Sequence, residues 1–117
     1  MRLLFAALGL IMSFNIWAAE IDQKAALTAL TDPNVVLIDV RSSEEVALGA
    51  IKGAENIQHT QISQKIASLV EDKNTTIVLY CRSGRRSSMA QDALQAMGYT
   101  HVINGGGYQS LKQALNQ

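Results

Sequence analysis

Two kinds of hydrophobic pattern alternate along the chain after residue 20. Short runs rich in β-branched residues, at 35–38, 77–80 and 101–103, are typical of strands buried on both faces. Between these runs, apolar residues recur every three or four positions, which is the spacing of one face of an α-helix. Strands that alternate with helices predict an α/β fold. We expect a mostly parallel, five-stranded sheet covered by helices on both faces.

Polar residues at the starts of the helical segments predict where the helices begin. Asp22 is placed to cap a helix that ends at Leu30. Ser42, with Glu45 three residues later, has the spacing of a capping box at the start of a short helix, and Gly49 is suited to end it.

The remaining segments complete the predicted order of elements. Residues 54–57 suit a short strand, and Thr60 is expected to cap the helix that follows. The inner face of that helix carries four apolar residues, Ile62, Ile66, Leu69 and Val70. After the strand at 77–80, Ser88 and Gln91 form a second candidate capping box. The glycines at 105–107 lack the spacing of a nucleotide-binding loop, so we expect a tight turn before a terminal helix.

The segment 81–86, Cys-Arg-Ser-Gly-Arg-Arg, concentrates reactive and charged side chains between a strand and a helix. In open α/β sheets, ligands bind at the carboxyl ends of strands, and helix N-termini favour anions. Cys81 is the only cysteine, so it cannot form an internal disulfide, and no cysteine or histidine cluster indicates a zinc site. The neighbouring arginines and the helix N-terminus are expected to lower the pKa of Cys81. The alternative is a small, inert, buried thiol.

Four stretches together resemble the rhodanese family of thiosulfate sulfurtransferases, particularly the small, periplasmic, single-domain rhodaneses of the phage-shock type. They are Cys-Arg-Ser-Gly-Arg-Arg (81–86), Leu-Ile-Asp-Val-Arg (37–41), Gly-Ala-Ile-Lys-Gly-Ala-Glu-Asn-Ile (49–57) and the segment 97–107. The first has the form C-x-x-x-x-R. Dual-specificity phosphatases of the same fold have a loop one residue longer, which would require arginine at Ser87.

The resemblance implies that Cys81 is the catalytic nucleophile and carries a persulfide. It implies that the backbone N–H groups of the loop, including Ser83, Gly84 and Ser87, surround the transferred sulfur. Arg82 and Arg85 would hold the sulfonate of thiosulfate, and Arg86 would hold the loop's shape. The resemblance implies thiosulfate, cyanide or thiols as small-molecule substrates, and a protein as a further candidate sulfur acceptor. Neither a metal nor an organic cofactor is implied, and we expect a monomer.

Asp39 and Arg41 end a strand near the expected pocket. Following the family pattern, we expect both to be structural, with Arg41 paired to Glu44 or Glu45. His59 and His101 have no spacing that favours a general base, and an ionised thiol requires none.

Two alternative functions remain at this point. One is a cysteine-dependent phosphatase or arsenate reductase, which the loop length and the absence of an evident general acid disfavour. The other is a relay module whose Cys81 carries a persulfide to a dedicated protein partner.

The first 19 residues have the pattern of a secretory signal peptide: a positive charge at Arg2, an apolar stretch, and small residues at Ala18 and Ala19. We expect cleavage after one of these alanines, a domain over 20–117, and a periplasmic location. The alternative is an uncleaved anchor, for which the apolar stretch is short. Residues 1–19 contain one basic residue and no acidic one, so nine basic and ten acidic residues remain, and neither nucleic acid nor a membrane surface is indicated as a partner of the mature domain.

Overall fold

The computed structural model describes residues 20–117, so the predicted signal peptide lies outside the described residues. The helices are α1 (Gln23–Ala29), α2 (Ser43–Ala47), α3 (Ile62–Leu69), α4 (Arg85–Ala96) and α5 (Tyr108–Ala114), with a 3₁₀ turn at His59–Gln61 before α3. The strands are β1 (Val36–Asp39), β2 (Glu55–Asn56), β3 (Ile77–Cys81) and β4 (Val102–Gly107). The predicted α/β alternation is confirmed. Within this part of the chain, no helix has the length and apolar character needed to cross a membrane.

In residues 20–117 the sheet has four strands in the order β2–β1–β3–β4, and every neighbouring pair is parallel. The expectation of five strands is therefore wrong. The sequence offers a strand pattern in four segments only, and these correspond to the four strands of the structure. Because the strands are parallel, the carboxyl ends of β1, β3 and β4 meet at one edge of the sheet, where Asp39, Cys81 and Gly107 lie.

Two hydrophobic cores cover the two faces of the sheet, as the strand pattern predicts. On one face, α3 and α4 pack against alternate residues of the central strands, including Ile38, Val40, Ile77 and Leu79. On the other face, α1 and α5 pack against Leu37, Val78 and Tyr80. The central strands are buried on both sides, which explains their continuous apolar runs.

The helix caps agree with the sequence in two cases and differ in two. The Asp22 side chain accepts a hydrogen bond from Ala25 N–H (3.0 Å), and the Ser42–Glu45 capping box is present in full. The expected cap at Thr60 is wrong, because α3 begins at Ile62 after the 3₁₀ turn. The expected Ser88 capping box is also wrong, because α4 begins at Arg85, directly after the loop.

The glycines at 105–107 extend β4 instead of forming a free turn. Gly107 pairs with Cys81 after an irregularity in the register between β3 and β4. Gly106 has a φ of 93°, a left-handed conformation that favours glycine and accommodates this irregularity. The expectation of a simple turn here is therefore wrong, and the end of β4 lies against the loop that follows Cys81.

Candidate active site

Cys81 is the last residue of β3, and its side chain is buried below the loop that leads into α4. Gly84 precedes the helix with a φ of 97°, a left-handed conformation that turns the chain back over the cysteine. As a result, Gly84 N–H donates a hydrogen bond of 3.0 Å to Cys81 Sγ. The Ser87 hydroxyl in the first turn of α4 lies 3.5 Å from the same sulfur.

The pKa of Cys81 reflects a balance between burial and hydrogen bonding. Burial raises the pKa of the thiol, but hydrogen bonds to the sulfur from the Ser87 hydroxyl and from the backbone N–H groups of Ser87, Ser83 and Gly84 outweigh it. The pKa of Cys81 therefore lies below its ordinary value. The direction agrees with the sequence prediction, and hydrogen bonds to the sulfur are the largest of the causes that lower the pKa of Cys81.

The three arginines of the loop lie in different surroundings. Arg82 and Arg85 are exposed, and neither takes part in the ion pairs found among the described residues. Cys81 is buried although these arginines are its neighbours in sequence, because their long side chains reach solvent while the thiol faces the core. Its hydrogen bond from Gly84 N–H distinguishes this buried thiol from a purely hydrophobic core cysteine.

Arg86 is held by Glu45 of α2 in an ion pair with two contacts. Arg86 Nη1 donates to Glu45 Oε1 at 2.7 Å, and Nη2 donates to Oε2 at 3.0 Å. The hydrogen bonds from Arg86 and from Ser42 N–H lower the pKa of Glu45 to about 2. Because Glu45 also completes the capping box of α2, the ion pair connects that helix to the first turn of α4. Arg86 is thus placed to hold the loop's shape.

Arg41 and Asp39 form a second ion pair, buried at the end of β1. Arg41 Nη2 donates to Asp39 Oδ2 at 2.6 Å and to the Gly49 carbonyl oxygen at 2.7 Å. The expected pairing of Arg41 with Glu44 or Glu45 is therefore wrong. Asp39 lies two residues away on the same strand end, and Glu45 is instead occupied by Arg86. A structural role for both Asp39 and Arg41 agrees with these contacts.

A surface cleft of about 380 Å³ opens beside the loop. Its lining residues come from α2, the segment after it, the active-site loop and α5: Arg41, Glu45, Leu48, Gly49, Arg82, Tyr108 and Gln109. Leu48 is 92% exposed there, and the Arg41 guanidinium lies 4.2 Å from the Tyr108 ring centroid. Since Arg41 and Glu45 are already paired, Arg82 is the side chain that offers free positive charge to an anion entering this cleft.

Three residues missed by the sequence analysis support the loop. Asn104 of β4 is fully buried and hydrogen-bonds to Ser87 and Gly84. The Ile21 side chain lies over Gly84, so closely that a Cβ on that glycine would be 2.5 Å from Ile21 Cδ1. A Cβ on Gly107 would lie 2.5 Å from the Arg82 carbonyl oxygen. The available signal for Asn104 was a polar residue directly after the strand run at 101–103, because a buried amide requires hydrogen-bond partners.

The two histidines lie away from the sulfur contacts described above. His59 is half-buried in the 3₁₀ turn, and His101 is exposed with Nδ1 2.9 Å from the Thr100 hydroxyl. Over residues 20–117 no group of three histidine, cysteine or acidic side chains is arranged to hold a metal ion.

Comparison with known proteins identifies the family. The sequence profile of the Rhodanese-like domain matches residues 22–114. The chain is 37% identical over 105 residues to the thiosulfate sulfurtransferase PspE of Escherichia coli, covering 90% of this chain and 86% of that protein. It is 35% identical over 86 residues to a sulfurtransferase of Allochromatium vinosum, covering 73% and 78%. A solved structure described as a rhodanese with anions from E. coli has 43% identity and a TM-score of 0.63, covering 64% of this chain and 88% of that chain.

Proposed function

Since the chain belongs to the family of rhodanese-like domains, we propose that it is a sulfurtransferase that moves the outer sulfur of thiosulfate through a persulfide on Cys81. The observation that carries this proposal is the 3.0 Å hydrogen bond from Gly84 N–H to Cys81 Sγ at the N-terminus of α4. A backbone donor aimed at the sulfur favours its ionised form, which is the nucleophile. The similarity to a named thiosulfate sulfurtransferase supports the same chemistry.

In the first half of the reaction, the Cys81 thiolate attacks the outer sulfur of thiosulfate. A bond forms between Sγ and that sulfur, and the bond between the outer sulfur and the sulfonate sulfur breaks. The electron pair of the broken bond leaves with sulfite, and Cys81 becomes a persulfide anion. N–H groups at the start of a helix have no acceptor within that helix, so those of α4 are available to the new anionic sulfur.

In the second half, an acceptor nucleophile attacks the outer sulfur of the persulfide. Cyanide would leave as thiocyanate, and a thiolate would leave as a new persulfide. The electron pair of the broken sulfur–sulfur bond returns to Cys81 as thiolate, so the enzyme is regenerated without an external oxidant or reductant.

The free arginines at the loop are suited to bind the sulfonate. Arg82 lines the cleft and Arg85 lies in the first turn of α4, both exposed and outside the described ion pairs. We assign them the attraction and orientation of the dianionic donor. Arg86, being paired to Glu45, is assigned to the loop's shape.

The loop spacing favours sulfur over phosphorus chemistry. Four residues lie between Cys81 and Arg86, one fewer than in the phosphatase pattern. A phosphoryl group carries three equatorial oxygens and needs a wider cradle than a single sulfur atom. We further propose that the protein acts after export to the periplasm, on the basis of the sequence pattern in residues 1–19.

The test of this function is a steady-state assay of thiosulfate and cyanide that measures thiocyanate, on the native protein and on Cys81→Ser. Serine is nearly isosteric but cannot form a persulfide, so the variant should fold and show no turnover. Thiocyanate formation by a folded Cys81→Ser protein would contradict the proposal. A native protein that loads sulfur yet fails to turn over with cyanide would favour the relay module.

A further inference from the structure

Asn104 joins three parts of the site from inside the protein. Its Oδ1 accepts hydrogen bonds from the Ser87 hydroxyl at 2.7 Å and from Gly106 N–H at 3.0 Å. Its Nδ2 donates to the Gly84 carbonyl oxygen at 3.0 Å. The side chain is fully buried, so these contacts replace water entirely. One amide therefore holds the end of β4, the loop and the first turn of α4 together.

The Ser87 hydroxyl has two neighbours but a single proton. The 2.7 Å distance to Asn104 Oδ1 is an ordinary length for a donated O–H bond, whereas Cys81 Sγ lies at 3.5 Å. When Ser87 donates to Asn104, only its lone pairs face the sulfur, and they can accept the S–H of a neutral Cys81. When Cys81 is ionised and its proton has left to solvent, the hydroxyl must turn to donate to the sulfur. Asn104 Oδ1 then accepts a hydrogen bond from Gly106 N–H alone.

We propose that Asn104 is a positioning residue for Cys81: by competing for the single proton of the Ser87 hydroxyl, it sets how strongly that hydroxyl can stabilise the ionised sulfur. The contact from Nδ2 to the Gly84 carbonyl acts in the opposite direction, because it fixes the glycine whose N–H faces the sulfur. The inference depends on the proposed function only in taking the thiolate as the reacting form.

Other ionisable groups surround Cys81 and must be kept constant in a test. The elements packed around it and the loop carry these charged or titratable side chains: Asp39 and Arg41 at β1, Glu44 and Glu45 on α2, His59 in the 3₁₀ turn, Lys65 on α3, Tyr80 on β3, Arg82 in the loop, Arg85, Arg86 and Asp92 on α4, and Tyr108 and Lys112 on α5. β4 carries none. The variants below leave all of these unchanged.

The experiment is a double-mutant cycle on the pH profile of Cys81 alkylation by iodoacetamide, using Asn104→Leu, Ser87→Ala and the double variant. Removing the Ser87 hydroxyl should raise the pH midpoint of the alkylation profile. At pH values below the midpoint, alkylation should be slower by about fivefold, which is the effect expected from the loss of one hydrogen bond. Asn104→Leu should free the hydroxyl, lower the midpoint and speed alkylation by a similar factor. In the Ser87→Ala background, Asn104→Leu should change the rate by less than about twofold.

If Asn104→Leu changes the alkylation rate by the same factor with and without the Ser87 hydroxyl, Asn104 acts through the Gly84 contact or packing alone, and the inference is overturned. Slower alkylation in the single Asn104→Leu variant would also overturn it. Alkylation needs no thiosulfate, so this result stands apart from the test of sulfur transfer.

A second measurement needs no Asn104 variant, in case the leucine prevents folding. The NMR signals of Gly106 N–H and the Asn104 side-chain amide should titrate with the Cys81 midpoint in the native protein. In Ser87→Ala their response should fall by more than half while Cys81 still titrates. An unchanged response would overturn the inference.

Discussion

Arg86 and Glu45 meet across 41 positions of sequence and hold each other by two hydrogen bonds of 2.7 and 3.0 Å. Arg86 belongs to the first turn after the Cys81 loop, and Glu45 belongs to the capping box of α2. The geometry of the loop therefore depends on a helix that follows a different strand. The ion pair is also sensitive to acid, because Glu45 must be ionised to accept both hydrogen bonds from Arg86.

The first prediction concerns this sensitivity. The pKa of Glu45 is about 2 in the folded protein against an ordinary 4.5, so the ion pair contributes stability above pH 4.5 and loses it as the pH falls towards 2. Glu45→Gln should lower Tm by a few degrees at pH 7, as expected for a partly exposed pair worth at most about 1 kcal/mol. The difference in Tm from the native protein should close between pH 4.5 and 2. A difference that stays constant to pH 2 would contradict the assigned role.

The second prediction concerns the contact between the end of β4 and the loop. In Gly107→Ala the new methyl group would lie 2.5 Å from the Arg82 carbonyl oxygen and displace the loop. A displacement of about 1 Å lowers rates by roughly a hundredfold, so sulfur transfer should fall far more than stability. Gly53→Ala is the control, since nothing lies within 4 Å of its new Cβ although its φ of 88° is strained. Equal losses of activity in both variants would argue against loop displacement.

The third prediction separates two effects that the positive charge of the loop could have: binding the sulfonate of thiosulfate, and favouring the ionised form of Cys81. Arg82→Gln and Arg85→Gln should each raise KM for thiosulfate several-fold, and high salt should reduce the difference from the native protein. The alkylation midpoint of Cys81 should change little, because hydrogen bonds are the main causes that lower its pKa. Lys24→Gln on α1 serves as a control for net charge. If both arginine variants keep the native KM, the sulfonate is bound elsewhere.

The fourth prediction concerns residues 1–19. The only tryptophan of the chain is Trp17, so removal of the signal peptide on export leaves tyrosine as the sole emitting residue. Protein recovered from the periplasm should show tyrosine fluorescence only, whereas full-length protein from cell-free synthesis should show a tryptophan band. A tryptophan band in the exported protein would mean that the segment is retained.

The sequence was sufficient to locate the candidate site, because the relevant signals are local. Cys81 lies between a strand run and a helical face, and both patterns can be read within a few residues. The Ser42–Glu45 capping box is also local, and it is confirmed. The start of α4 at Arg85 could not be read in the same way. The helix starts there because Gly84 adopts a left-handed conformation, and no capping side chain in the sequence indicates that start.

Long-range partners were beyond the sequence pattern. The sequence pattern paired Arg41 with Glu44 or Glu45, whereas the packing of α2 against the loop brings Arg86 to Glu45 and leaves Arg41 with Asp39. The role of Asn104 requires the register of β4 against β3, which includes an irregularity between Leu79 and Cys81. This register places Gly107 opposite Cys81, and hydrophobic alternation alone does not predict such an irregularity.

The central claim is that Cys81 carries the transferred sulfur, and intact-mass spectrometry after brief treatment with thiosulfate tests it most directly. The native protein should gain the mass of one sulfur atom, lose it on addition of cyanide, and retain an unmodified mass as Cys81→Ser. A native protein that gains no sulfur, or a Cys81→Ser protein that gains one, would contradict the account.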